Sequence, residues 1–174
     1  MTKRNSKKQP DQTAFIMGDQ PGTYLATREV QVSDILALAE QILFERISRG
    51  YAFQNPEDTK QYLKVRIGPR DAEVFAVLFL DNRHRLIAFE ELFYGTIDGC
   101  SVHPREIARR ALTLNAAAII LAHNHPSGVP EPSQADKSLT IRIKESMALL
   151  DIRVLDHLVV GGTEVVSFAE RGLI

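Results

Sequence analysis

The sequence predicts an α/β fold in which a mixed β-sheet carries helices on both faces. Two largely apolar segments, 72–80 and 86–94, flank a polar turn and indicate the two strands of a hairpin. The apolar run 116–122 indicates another strand, buried on both sides. Segments with helical periodicity alternate with these strands along the chain, which is the order expected of a sheet covered by helices.

Composition describes a single globular domain with an ordinary surface. The chain has 174 residues, of which 44% are hydrophobic, and its net charge is −1. This balance argues against a strongly basic nucleic-acid binder. Cys100 is the single cysteine, which excludes a disulfide framework and a cysteine-rich zinc finger. There is no apolar run of about 18 residues and no signal-peptide core, so we expect a cytoplasmic protein without a membrane partner.

The N-terminal segment differs from the rest of the chain. Residues 1–23 are polar apart from the patch 15–17, and we expect a mostly disordered basic tail because so little apolar surface can be buried. A single domain is expected over 24–174. The tail carries four clustered cations, Lys3, Arg4, Lys7 and Lys8. They predict at most weak nucleic-acid binding.

Two helices are predicted ahead of the hairpin. The first covers 34–49, with Ser33 as its N-cap and Gly50 at the position that follows its C-terminus. The second begins at the segment 55–58, where a capping Asn is followed by Pro and two acidic residues. Both are expected to pack on the sheet.

The second half of the chain alternates helices and strands. Helices are predicted from Pro104 to about 114 and over 134–150. Strands are predicted over 153–160 and 164–168, with a Gly-Gly turn between them. Together with the strand at 116–122, these elements complete the predicted sheet.

The loop that follows the buried strand contains a candidate metal site. His123 and His125 are separated by one residue, so their imidazoles point to the same side of an extended segment. A loop rich in Pro and Gly then turns the chain back, and Asp136 lies in the first turn of the next helix. Two imidazoles and one carboxylate, with a fourth position open to water, are typical of catalytic zinc.

A purely structural interpretation of the same residues also exists. Ser133 and Asp136 form a Ser-x-x-Asp variant of the capping box, in which the serine hydroxyl accepts a hydrogen bond from the backbone three residues on. The neighbouring His123 and His125 favour the metal interpretation, because two histidines in a Pro/Gly loop have no packing role. His103 and His157 are expected to be structural, the latter as a hydrogen-bonded residue of an apolar strand.

The residues around this loop resemble a known family. His123-x-His125, followed after seven residues by Ser133-x-x-Asp136, resembles the metal motif of the JAMM metalloproteases, the JAB/MPN group. The segments 102–107, 122–128 and 155–158 resemble its bacterial RadC-like branch, and the likeness covers about residue 34 to the C-terminus. The resemblance implies a three-layer α/β domain related to the deaminase fold.

The resemblance also implies a glutamate on a strand upstream of the histidines. Glu90 and Glu91 are adjacent, and the alternation of side chains along the strand does not choose between them. In RadC-like sequences the glutamate stands five residues before the glycine of a Gly-Thr pair, which here is Gly95-Thr96. This landmark predicts Glu90, with Glu91 as the alternative.

The implied function is zinc-dependent hydrolysis of an amide or isopeptide bond in a peptide or protein of unknown identity. One Zn²⁺ per chain would be held by His123, His125 and Asp136, and Glu90 would serve as the general base. Ser133 would stabilise the oxyanion, and Asn124 would orient the loop or the residues behind the ligands. The alternative is a zinc-stabilised, non-enzymatic module that acts in DNA repair or recombination.

Other zinc and nuclease classes fit the residues less well. A zinc deaminase needs a Pro-Cys-x-x-Cys segment, which a single cysteine excludes. A zincin needs His-Glu-x-x-His on one helix, and the sequence contains none. The letters of residues 123–125 spell HNH, but the nuclease motif of that name is spread over a ββα unit.

Overall fold

The computed structural model describes residues 14–48, 56–96 and 100–174. The chain divides into two compact units, residues 1–39 and 40–174. Helix α1 (Val32–Ser48) begins in the first unit and ends in the second. The candidate metal ligands all belong to the second unit.

The first unit contains a short hairpin. Strand β1 (Phe15–Met17) pairs antiparallel with β2 (Tyr24–Ala26). The expectation that residues up to 23 are disordered is therefore wrong for the described part of that segment. The apolar patch 15–17, too small for a core of its own, provides a strand instead. The four clustered cations lie outside the described residues.

Helix α1 begins two residues before the predicted start. Its first turn is stabilised by Asp34, whose carboxylate accepts a hydrogen bond from the Gln31 backbone at 2.9 Å and forms an ion pair with Arg28 at 2.8 Å. Ser33 therefore lies inside the helix, and its prediction as N-cap is wrong. The reason is that the Asp34 carboxylate, inside the first turn, accepts from the free backbone N–H of Gln31, which precedes the helix. The predicted terminal Gly50 lies outside the described residues.

A five-stranded mixed sheet forms the centre of the second unit. Its strands are β3 (Val74–Leu80), β4 (Leu86–Tyr94), β5 (Ala118–Asn124), β6 (Arg153–Gly161) and β7 (Glu164–Ser167), in the spatial order β4-β3-β5-β6-β7. Only β5 and β6 pair in parallel. The predicted hairpin is confirmed, and β4 has the predicted bounds.

Helices cover both faces of this sheet, as the sequence predicted. Helix α2 (Pro56–Arg66) and the end of α1 contribute to a core cluster on one face, with Leu63 as a fully buried member. Helices α3 (Pro104–Thr113) and α4 (Gln134–Ala148) contribute to a second cluster on the other face. Because side chains alternate along a strand, β3 and β5 supply apolar residues to both clusters and are buried throughout. The three-layer α/β fold is confirmed.

Candidate metal centre

The three predicted ligands come together at the carboxyl end of β5. His123 is the penultimate residue of that strand, and His125 follows directly after its end. Asp136 is in the first turn of α4, which the intervening Pro/Gly loop brings back to the strand. Among the described residues these three form the one group of His, Cys, Asp or Glu side chains whose ligand atoms could share a metal ion, all within 4.8 Å of one another.

The hydrogen bonds of both imidazoles leave the same ring atom for a ligand. His125 Nδ1 lies 2.7 Å from the Val129 carbonyl, which can only accept, so this nitrogen carries the proton. His123 Nδ1 lies 2.8 Å from His157 Nε2 in the interior. The Nε2 atoms of His123 and His125 thus both face the cluster.

The spacing of these atoms is close to that of a zinc site, with the two imidazole nitrogens nearer to each other than bound ligands would be. The two Nε2 atoms are 3.0 Å apart. His123 Nε2 lies 3.4 Å from Asp136 Oδ1, and His125 Nε2 lies 3.6 Å from the other carboxylate oxygen, Oδ2. Zn–N and Zn–O bonds of about 2.0–2.2 Å in a tetrahedral site separate neighbouring ligand atoms by roughly 3.3–3.6 Å. Two imidazoles and one carboxylate in this arrangement fit the donor set of a zinc site with an open position.

Asp136 also completes the capping box of α4. Its Oδ2 accepts hydrogen bonds from the backbone N–H of Ser133 at 2.7 Å and from the Ser133 hydroxyl at 2.6 Å. The Asp136 backbone N–H in turn donates to the Ser133 hydroxyl at 3.1 Å. The capping box is thus present, and it is compatible with the metal interpretation of Ser-x-x-Asp, because the same carboxylate serves the helix terminus and faces the imidazoles.

The electrostatics of the cluster reflect burial and mutual charge. Burial lowers the pKa of His123 to about 4, although the carboxylate of Asp136 opposes the shift. The carboxylate of Asp136, 3.6 Å from His125 Nε2, raises the pKa of His125. Burial raises the pKa of Asp136, but the neighbouring His125 and His123 and the hydrogen bonds from Ser133 outweigh this effect and hold the pKa below its ordinary value. A neutral His123 beside an ionised carboxylate is ready to bind a cation.

The cluster opens into a cavity of about 620 Å³. Its lining includes His125, Asp136 and Ser133, together with Glu73 and Cys100. His103 and Arg142 contribute basic groups to the same lining.

Glu73 is a functional candidate that the sequence analysis missed. It lies directly before β3, half-buried in the cavity wall, and burial together with the charge of Asp136 raises the pKa of its carboxyl. Its backbone pairs with Gly95 and Thr96, at 2.8 Å and 3.1 Å. The Gly-Thr pair therefore does mark the site, but it does so as the backbone partner of Glu73.

The structure does not bring Glu90 to the metal ligands. Its carboxylate is bound by Arg110 of α3, at 2.6 Å from Nε, and it does not line the cavity. Glu91 points to the opposite face of the sheet, where it forms ion pairs with Arg66 and Arg70, each at 3.0 Å. The placement expected for Glu90 is thus corrected. The guanidinium of Arg110 satisfies its charge away from the cavity.

Asn124 connects the histidines to Glu73. Its Oδ1 accepts a hydrogen bond from the Val74 backbone at 2.7 Å. Its Nδ2 donates to the carbonyls of Arg70 and Ala72, both at 3.2 Å. These contacts lie on both sides of Glu73 along the chain. The side chain expected to support the site therefore fixes the backbone from which Glu73 projects.

A signal for Glu73 was present in the sequence. The segment 72–80 is almost continuously apolar, and Glu73 is its one charged residue. A charge at the start of a buried strand is costly unless it is paired or functional. The register places Phe75 beside His123, and Glu73, two residues before Phe75, shares its face.

The other two histidines of the second half have separate environments. His103 precedes α3 in extended conformation, its side chain makes no capping hydrogen bond, and its ring lies 6.3 Å from that of Phe93. His157 is fully buried in β6 and hydrogen-bonded, as expected for a core residue. Neither belongs to the group of metal-compatible side chains.

Comparison with known proteins places most of the second unit in one family. The family model of the RadC-like JAB domain matches residues 53–173. A UPF0758 protein of Thioalkalivibrio sulfidiphilus is 58% identical over 86% of this chain and 66% of its own length. A UPF0758 protein of Vibrio cholerae is 54% identical over 86% of this chain and 94% of its own length. The chain thus spans about two thirds of the first relative and nearly all of the second.

In the described ranges, no helix combines the length and apolar character needed to cross a membrane. The sheet of five strands, its helices on both faces and the His-His-Asp group agree with the family match. The chain belongs to the RadC-like JAB domain family.

Proposed function

We propose that the chain is a zinc-dependent amide hydrolase of the metallopeptidase or isopeptidase type, acting on a peptide or protein. The observation that carries this proposal is that Glu73, His125 and Asp136 line one cavity. The buried His123 lies directly behind them and completes the group of metal-compatible side chains. Three ligands with an open fourth position, and a half-buried carboxyl beside them, are the components of a hydrolytic zinc site.

His123 and His125 would hold the metal through Nε2, and Asp136 through its carboxylate. When bound there, Zn²⁺ would act as a Lewis acid, lowering the pKa of water and polarising an amide carbonyl. The protein's own residues supply the proton transfers and the orientation of the substrate.

Glu73 takes the role of general base in this proposal, in place of Glu90. Its carboxylate would accept the proton of the attacking water and deliver it to the leaving amine. Burial and the nearby charge of Asp136, which raise its pKa, bring it closer to the range in which a carboxyl both accepts and releases a proton at neutral pH. Asn124 holds the backbone on either side of it.

Ser133 would have two successive roles. In the structure its hydroxyl donates to Asp136, which orients the carboxylate. Rotation of this exposed hydroxyl toward the cavity would let it donate to a developing oxyanion. An oxyanion donor of this kind contributed roughly 2.7–4 kcal/mol where one was measured in another hydrolase.

The test compares two glutamates on the same helix-covered face of the sheet. Glu73→Gln should retain about one zinc per chain by elemental analysis of untagged protein, but lose cleavage of a fluorogenic peptide library. Glu90→Gln is the matched control and should retain both zinc and cleavage. His123→Ala and Asp136→Ala should lose zinc.

Three results would count against the proposal. Wild-type protein that remains nearly metal-free after zinc supplementation would contradict the metal site. Cleavage that survives Glu73→Gln and disappears in Glu90→Gln would contradict the role of Glu73. Zinc-loaded protein that cleaves no member of the library would favour the non-enzymatic module in DNA repair or recombination.

A further inference from the structure

A buried line of hydrogen bonds lies behind His123. His157 of β6 is 0% exposed, and Thr140 of α4 is 1% exposed. His123 Nδ1 lies 2.8 Å from His157 Nε2, and His157 Nδ1 lies 2.6 Å from the Thr140 hydroxyl. That hydroxyl lies 2.6 Å from the backbone carbonyl of Asp136. The line therefore begins at one metal ligand and ends at the backbone of another.

The carbonyl at the end of this line determines where each proton lies. A carbonyl oxygen only accepts, so the single proton of the Thr140 hydroxyl is donated to Asp136. The hydroxyl oxygen must then accept a proton from His157 Nδ1. A neutral imidazole has one N–H, so His157 Nε2 accepts from His123 Nδ1. His123 Nε2 is left with a free lone pair.

The reverse arrangement removes the proton between two close oxygens and blocks the site. If Thr140 donated to His157, the Thr140 hydroxyl oxygen and the Asp136 carbonyl oxygen would face each other at 2.6 Å with no proton between them. His157 Nε2 would then donate to His123, whose own proton would move to Nε2. That proton would face His125 Nε2, 3.0 Å away, where a metal must bind. The first arrangement supplies a proton to each of the three contacts behind His123. It leaves no proton between the two Nε2 atoms, 3.0 Å apart, so both lone pairs are available to a cation.

The environment of His157 holds its ring in one orientation. Phe75 and Phe168 contact it, with ring centroids 5.5 Å and 4.8 Å away. The neighbouring Asp156 carboxylate accepts from the backbone N–H of His157 at 2.7 Å, and from Ser167 and Ala169. Asp156 is thus not a partner of the imidazole. The ring is 0% exposed, and its two nitrogens contact only a hydroxyl and another imidazole, an environment that favours the neutral form.

We propose that Thr140 and His157 are positioning residues that fix the tautomer of His123 and thereby present its Nε2 to the metal. This inference rests on the metal site of the proposed function. Metal-bound imidazoles generally donate their other N–H to a fixed partner, and loss of such a partner weakens metal binding about 10–100-fold. Here the partner is itself an imidazole, so its own tautomer must be set, and Thr140 sets it.

The test uses a matched pair of substitutions at Thr140. Thr140→Val keeps the β-branched shape but removes the hydroxyl, whereas Thr140→Ser keeps the hydroxyl. Zinc affinity, measured by competition with a chromophoric chelator, should fall about 10–100-fold in T140V and stay within about threefold of wild type in T140S. The rise in Tm on adding zinc should shrink in T140V, which a loss of packing alone would not cause.

A second measurement reads the tautomer without any metal. Long-range ¹H–¹⁵N NMR spectra of the apo-protein should show the His123 proton on Nδ1 in wild type and T140S, and a mixture of tautomers in T140V. If T140V does not fold, the wild-type spectrum decides, because a proton on His123 Nε2 would overturn the proposal. Equal zinc affinity in T140V and T140S would also overturn it. An Nδ1 proton in a wild-type protein that binds no zinc would instead contradict the proposed function and leave the tautomer assignment intact.

Discussion

At the scale of single residues, Asn124 joins two parts of the site that lie 50 residues apart in the sequence. It is buried, and its side-chain hydrogen bonds go to backbone groups on either side of Glu73. Only an amide fits, because the site requires one acceptor for the Val74 N–H and donors for two carbonyls. Asn124 therefore couples the position of Glu73 to the strand that carries the histidines.

Asn124→Asp should destabilise the fold with little effect on zinc content. The new carboxylate would still accept from Val74, but its second oxygen would face the carbonyls of Arg70 and Ala72 without a proton between them. The expected loss is about 1–3 kcal/mol in urea unfolding. Asn82→Asp, in the exposed β3–β4 turn, should change stability by less than about 0.5 kcal/mol. Equal stabilities of the two variants would contradict this account.

Among single residues, the sequence was enough to predict the group of candidate ligands but not the glutamate that lies beside them. His123, His125 and Asp136 could be predicted as a group because their spacing is local and the loop between them is short. Glu73 could not be chosen in the same way, since its relation to them depends on how β3 and β5 pair across the sheet. Glu90 has the right residue type on the right face, but the pairing places it opposite Val77 and within reach of Arg110.

At the scale of elements, the loop between β5 and α4, residues 125–133, packs against the C-terminal end of β6. A side chain at Gly161 would place its Cβ 2.4 Å from Pro130 N and 2.6 Å from the Val129 carbonyl carbon. The Val129 carbonyl accepts from His125 Nδ1. The absence of a side chain at Gly161 thus permits the loop conformation that orients His125.

Gly161→Ala should weaken zinc binding, because the displaced loop would no longer hold His125. A loss of about 10–100-fold in affinity is expected. Gly162→Ala is the neighbouring control. Its φ of +55° makes alanine costly by about 1–2 kcal/mol of stability, yet its Cβ would lie 3.5 Å from Gly128, an ordinary contact. Zinc affinity should therefore stay near wild type in G162A, and a comparable loss in both variants would contradict the docking role of Gly161.

The order of elements could be predicted from the sequence, whereas the residues at which helices begin and end were predicted less accurately. The strands of the second unit and helices α3 and α4 lie where the apolar patterns indicated, and α2 begins where the capping signals of 55–58 placed its start. The start of α1 differs because the Asp34 carboxylate accepts from the Gln31 N–H from inside the helix. The sequence pattern does not show whether Ser33 or Asp34 caps the helix. The capping box of α4 was recognised from its letters, but only the structure shows that one carboxylate serves both the cap and the cluster.

At the scale of the whole molecule, the cations of the N-terminus are separate in sequence from the candidate centre. Any binding of duplex DNA should be weak, independent of sequence and steeply dependent on salt, because it would come from phosphate neutralisation by the clustered Lys and Arg residues of 1–8. Deletion of 1–13 leaves the β1–β2 hairpin complete and should abolish this binding without changing zinc content. Fluorescence anisotropy with a labelled duplex across a salt series measures it. Binding by the truncated protein that persists at about 200 mM salt would favour the DNA-repair module.

The groups of the centre are contributed by segments far apart in the chain, and this has a consequence for folding kinetics. His123 and His157 are separated by 34 residues, and Asn124 and Val74 by 50. The β3–β4 hairpin can form locally, but the centre is complete only after β5 has paired with both β3 and β6, which requires slow closure of long loops. In the proposed zinc-bound protein the ion would stabilise the native state without stabilising a transition state in which those loops are still open. Zinc would then slow unfolding and leave the folding rate nearly unchanged.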